Sequence, residues 1–168
     1  TATVNAFDKS HAAYRDKVAL LRHFFRVRPQ LSGDLKRKAF RYADEGELCA
    51  LYRSLQFLPG PERFAWRSGE GCRTNMMSVF EANGCDTAFP AASLDDIAWR
   101  QLCVKALFIG APLWRVSGFD GRVDAELGRM ALDLVDERRA AGRSISPELW
   151  LCLSGAPSDR ALAALDQL

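Results

Sequence analysis

Histidine is nearly missing from this chain: its 168 residues include two, His11 and His23. Cysteine is present five times, at positions 49, 72, 85, 103 and 152, but never as a CxxC pair. Without clustered sulfur and imidazole a zinc site has poor raw material, so no metal is expected. An odd count at unpaired spacings reads as buried, reduced thiols of a cytoplasmic protein rather than as a disulfide framework. Spacing does not decide a catalytic Cys–His pair, because such partners meet in space. The sequence also lacks a P-loop, a GxGxxG turn, an HExxH pair, a GxSxG elbow and an acidic calcium loop. Those absences remove the common nucleotide, metalloprotease and hydrolase signatures, and no cofactor is implied.

A surplus of one charge is lacking too. Lys and Arg number 23 against 21 Asp and Glu, a net charge of +2. That balance makes nucleic acid an unlikely partner on bulk electrostatics. No window approaches the roughly 18 apolar residues of a transmembrane segment. No secretory leader is legible, and the chain opens on Thr1 without a methionine, as a trimmed or processed form would. Alternating strand patterns are missing as well.

What is present is helical periodicity in a globular composition, 48% hydrophobic and 26% charged. Phe7, His11, Tyr14, Val18, Leu21 and Phe25 form an apolar stripe at steps of four and three, closed by Pro29. A second helix is expected from Asp34 to Ala43; its basic run LKRKAFR (35–41) reads as a solvated face. Asp44 and Glu47 make a capping-box start for a helix ending near Phe57. LPGP (58–61) breaks the chain, with Pro61 placed to open a short helix. Thr74 caps a helix ending near Gly84, and Ser93, with Asp95 and Asp96 behind it, opens one running to Gly110. Val123, Leu127, Met130, Leu134 and Arg138 mark a further helix with Gly142 as its C-terminal cap. Ser146–Pro147–Glu148 combines a cap, a first-turn proline and an acid against the helix dipole, and a weak last helix covers 158–167. The expectation is one all-α domain over 1–168, seven to eight short helices in antiparallel pairs, as a bundle or a short HEAT-like solenoid.

Several polar residues stand where apolar ones would be cheaper. In QLCVKALFI (101–109) only Gln101 and Lys105 are polar, on one side of a helix that otherwise reads as buried all round. A buried ammonium needs a carboxylate or a polar cavity, and Glu81 and Asp86 are the nearest candidates upstream. Lys105 then snorkels to water, closes a structural ion pair, or serves as a functional group. Arg73 could fork onto Glu81 or Asp86, and Asn75 could satisfy amides at a helix start. The functional alternative has Arg73, Asn75, Gln101 and Lys105 lining one anion-friendly pocket beside a helix N-terminus.

The blocks CRTNMMSVFEANGCDTAFP (72–90), WRQLCVKALFIGAPLWRVSGFD (99–120) and ELGRMALDLVDERRAAGRSISPELW (126–150), with LYRSLQFLPGPERF (51–64), resemble the EboA-like family. The resemblance runs from about residue 44 to about residue 152, leaving 1–40 as an N-terminal helical extension and 155–168 as the weak terminal helix. It implies a protein encoded in a bacterial gene cluster for an exported metabolite, beside proteins resembling a prenyltransferase, a metal hydrolase and TIM barrels. The matched polar positions are Arg73, Thr74, Asn75, Glu81, Asp86, Gln101 and Lys105. The chain departs from the family pattern at CDTAFP (85–90), at Arg100, and at Asn83–Gly84, where an apolar pair is usual.

Two functions follow. One is a non-enzymatic scaffold or carrier, binding proteins of the same pathway or a small anionic metabolite through Arg73, Asn75, Glu81, Asp86, Gln101 and Lys105. The alternative is an enzyme on a small anionic or prenylated metabolite, with Lys105 and Glu81 or Asp86 as acid and base and Arg73 as anion clamp.

Overall fold

The computed structural model describes residues 33–58, 60–154 and 158–165, with side chains from Lys38 to Ala164. The helix expected over 7–25, with His11 and the Pro29 stop, lies outside the described residues. Helix α1 spans Gly33–Tyr42 and α2 spans Glu45–Ser54. The capping box forms: Glu47 N donates to Asp44 Oδ1 at 2.7 Å, and Asp44 N donates to Glu47 Oε2 at 3.0 Å. Beyond Ser54 the chain tightens into a 3-10 turn, Leu55–Phe57. Pro61 opens a second 3-10 turn, Pro61–Phe64, which runs into α3, Ala65–Gly71.

Helix α4 is Met77–Gly84; Met76 stands at its N-cap position, and Thr74, the expected cap, lies two residues earlier, where its Oγ1 accepts from Met76 N at 3.1 Å. A short α5, Phe89–Ser93, follows, with Pro90 in its first turn. This corrects one expectation. Ser93 ends α5, and it is Asp95 that caps α6 (Asp96–Ile109), accepting from Ala98 N at 2.8 Å. After Gly110 comes a 3-10 turn, Leu113–Arg115, then α7, Ala125–Ala140, capped by Asp124. Gly142 takes the expected left-handed conformation (φ 64), with Arg143 N donating to Arg138 O at 2.8 Å. Helices α8 (Leu149–Leu153) and α9 (Asp159–Leu165) complete the described chain. Glu148 does not face its own helix end as expected. Its carboxylate accepts from Leu113 N and ties α8 to the distant 3-10 turn.

The fold is all-α. The described residues hold nine α-helices, more than the expected seven or eight, because the stretch from Pro61 to Ser93 is cut into short pieces. Helix α2 packs on α4, α6 on α7, and α7 on α8 and α9. Two apolar cores result. One gathers Tyr52, Leu55, Leu58, Phe64 and Phe89; the other gathers Trp99, Leu102, Leu113, Leu127 and Leu149. Helix α4 belongs to both, giving Val79 and Ala82 to the first and the fully buried Phe80 to the second. Burying such a ring contributes about 2–3 kcal/mol.

Helix α6 is not buried all round. Trp99, Leu102, Cys103, Ala106 and Leu107 face the core, while Ile97 (67% exposed), Gln101 and Phe108 (38%) face outward. Its outer face is apolar in letters but solvent-facing in space, a pattern that periodicity alone does not resolve.

Candidate functional site

Gly84 ends α4, and the chain turns at Cys85–Asp86. Asp86 holds a left-handed backbone (φ 52), an uncommon state for a side-chain-bearing residue that aspartate tolerates better than most. Arg115 grips that turn twice. Its carbonyl accepts from Asp86 N at 2.9 Å. Its guanidinium donates through Nε to both Asp86 oxygens, at 3.2 and 3.1 Å, and through Nη2 to Asp86 Oδ2. The same guanidinium reaches Glu81 Oε2 from Nη1 at 2.9 Å. Arg53 of α2 adds Nη1 to Cys85 O at 2.6 Å and a longer contact to Asp86 at 3.8 Å. Two arginines thus meet two carboxylates, and the cluster is neutral. The Arg115 hydrogen bonds hold the Asp86 carboxyl below its ordinary range, so it is an anion at neutral pH and a poor proton carrier.

Lys105 lies elsewhere. Its Nζ donates to Asn75 Oδ1 at 2.8 Å and stands 5.2 Å from the centre of the Phe108 ring. The pairing of Lys105 with Glu81 or Asp86 is therefore corrected: both carboxylates belong to Arg115. Arg73 likewise does not fork onto them. It is exposed and pairs with Glu70 at 3.2 Å, one turn back on the chain. Asn75 serves Lys105 rather than the start of α4, and Gln101 is exposed on α6. Of the six residues singled out by sequence, the structure joins Asn75 to Lys105, and Glu81 to Asp86 through Arg115. Arg73 stands apart from both groups.

Sequence reasoning missed Arg115 and Arg53, which lack any local signature. It also passed over the use of Asn83, although the departure from an apolar pair there was the signal. Asn83 is 1% exposed; it accepts from Ser68 Oγ at 2.8 Å and donates to Ser68 O at 2.9 Å. Its Nδ2 also reaches Cys72 Sγ at 3.4 Å.

Arg73 stands at a groove of about 400 Å³. Ala65, Trp66, Gly69 and Glu70 of α3 form one wall, and Ser93, Leu94, Asp95 and Ala98 the other. Trp66 is 53% exposed, with the Arg67 guanidinium stacked 4.3 Å from its ring centre. Glu70 is shared between Arg67 and Arg73, and Asp95 is committed to the amide of Ala98.

The thiols are poor nucleophiles here. Burial pushes Cys72 and Cys85 up to about 11 and Cys152 to about 12, and raises Cys103 further still. A thiol titration with a chromogenic disulfide at neutral pH is expected to label half-buried Cys49 first. The other four are expected to react only after denaturant is added; rapid native labelling of any of them would contradict the packing. No described helix is long and apolar enough to cross a membrane.

No curated protein and no solved structure matches the chain. The family model described as "Metabolite traffic protein EboA" matches residues 20–154, extending the sequence resemblance upstream of residue 44. With that match over most of its length, the chain belongs to the EboA family.

Proposed function

We propose that the chain is a non-enzymatic helical carrier that holds a small anionic metabolite with an apolar or aromatic body in the groove between α3 and α6. The observation that carries this reading is the coincidence of Arg73 with that groove. Its volume falls within the usual range of ligand pockets, roughly 300–1,000 Å³. Trp66 offers an aromatic wall, and the arginine at the rim is 75% exposed and held by one exposed ion pair. Such a pair is worth little, on the order of 0–1 kcal/mol, so a ligand carboxylate or phosphate exchanges into it at low cost. Glu70 and Asp95 oppose an anion less than their number suggests, because arginines and a helix amide already engage them. The family description supports handling rather than conversion of a metabolite. The carboxylates that the acid–base alternative needs, Glu81 and Asp86, are both engaged by Arg115. Partners of such a carrier are the other proteins of its pathway.

Native mass spectrometry of the protein purified from its own host tests this. Wild type is expected to carry a small acidic molecule. Trp66→Ala with Arg73→Glu should lower its occupancy at least about tenfold, a loss of about 1.4 kcal/mol. Lys105→Met, which lies outside the groove, should retain the bound molecule. The reading fails if the folded groove variant keeps the molecule, or if a folded Lys105→Met protein loses it.

A further inference from the structure

The outward face of α6 is a row of side chains at helical spacing: Ile97, Gln101, Lys105 and Phe108. Ile97 is 67% and Phe108 38% exposed, and Met76 and Met77, beside Asn75, are 41% and 37% exposed. Two cations bracket Phe108. Lys105 Nζ lies 5.2 Å and Arg138 Cζ 5.4 Å from its ring centre. Arg138 also donates to Phe108 O at 2.6 Å and keeps a buried Nε with no partner.

Neither cation has a carboxylate within ion-pair distance among the described residues. Eight other described arginines do: 53, 67, 73, 100, 115, 122, 129 and 160. Lys38, Arg41, Arg63, Arg139 and Arg143 lack one too, but among the described residues only the Phe108 ring has two such cations against it, which leaves this face positive, aromatic and apolar together. Exposed apolar groups rimmed by polar ones mark interaction surfaces, and arginine and aromatic side chains are the usual anchors. The pocket that Arg138 helps line has about 10 Å³, too little for a ligand.

We propose that this face of α6 docks a partner protein through a segment carrying an Asp or Glu beside apolar side chains, the carboxylate seated between Lys105 and Arg138 over Phe108. Charge complementarity selects that chemistry: an acidic group meets two cations that have no internal counter-charge, while apolar neighbours cover Ile97, Met76 and Met77. Ala98, a groove residue, stands one turn from Gln101 on the same helix, so the partner would sit at the mouth of the groove.

Photocrosslinking of the full chain in its own host provides the test, with p-benzoylphenylalanine at position 101 as probe and at position 129, on exposed α7 surface, as control. The expected result is an adduct from position 101 alone, to another protein, through a peptide containing Asp or Glu. Lys105→Glu should cut the adduct at least about tenfold, and raising salt from about 0.05 to 0.3 M should weaken it. Arg138→Glu should do the same; a thermal melt of each variant confirms that it is folded. The proposal is overturned by no adduct, by equal adducts from both positions, or by a crosslinked peptide without an acid. An adduct to nucleic acid, lipid or a second copy of this chain overturns it too, as does an adduct that Lys105→Glu leaves intact.

Discussion

Replacing Arg115 by Ala is expected to lower the unfolding free energy by about 2–3 kcal/mol, because it strips the cation from two carboxylates at once. Glu81 and Arg115 are each largely covered, with side chains 28% and 26% exposed. Losing the guanidinium leaves Glu81 without its cation and Asp86 with only the 3.8 Å contact to Arg53. Asp86 must still hold its left-handed turn, now without the side-chain grip that stabilises it. Arg115→Lys should recover less than half of the loss, since an ammonium cannot bridge Asp86 and Glu81 with a planar fork. Urea denaturation measures both; a change below about 0.5 kcal/mol for Arg115→Ala, the size of an ordinary surface substitution, would refute the clamp.

Acid separates this effect from simple packing. The Asp86 carboxyl is depressed in the folded state, so its contribution is present at neutral pH and is lost as pH falls below the ordinary carboxylate value toward the folded one. The stability gap between wild type and Arg115→Ala should therefore hold near pH 7 and shrink below about pH 4.

The second large effect is expected at Gly71, the last residue of α3. A Cβ there would lie 2.7 Å from Tyr52 Cε1 and 2.8 Å from Asn83 Cγ, closer than packed atoms tolerate. Gly71→Ala should cost about 1–3 kcal/mol by overpacking, although alanine is the better helix former. Asn83→Ala alone should cost a similar amount, about 2–3 kcal/mol, by leaving the fully buried Ser68 hydroxyl without its acceptor and opening a small void. The double variant should be less destabilised than the two losses added, because removing the Asn83 amide clears one of the two clashes. Strict additivity in a double-mutant cycle would show that Gly71 and Asn83 do not compete for that space.

Local chemistry explains what was legible. The Asp44–Glu47 box, the break before Pro61 and the Gly142 cap are decided within a few residues of chain, and all three form. Ser93 is the expected cap, but Asp95, two residues on, takes that place because Pro90 starts a separate short helix that ends at Ser93. The long-range pairs were not legible. Asp86 and Arg115 are 29 residues apart, and nothing near either one names the other. For Lys105, periodicity gave the side of α6 but not which end of α4 it would meet. It meets the start, at Asn75, instead of the end that carries Glu81. Choosing between two ends of a neighbouring helix is a question of docking geometry, which composition and spacing do not encode.

Helix α4 contributes side chains to two cores at once, and that shared membership bears on how the domain comes apart. Were either core to melt alone, α4 would keep only part of its burial, and the remaining core would lose an entire wall. A helix of eight residues has little stability of its own to bridge that gap. Partial unfolding on either side is thus penalised twice, which favours loss of both cores in a single cooperative step. A domain built this way keeps its groove and its outer helix face in one thermodynamic unit, so damage at the Asp86 turn would be felt across both cores.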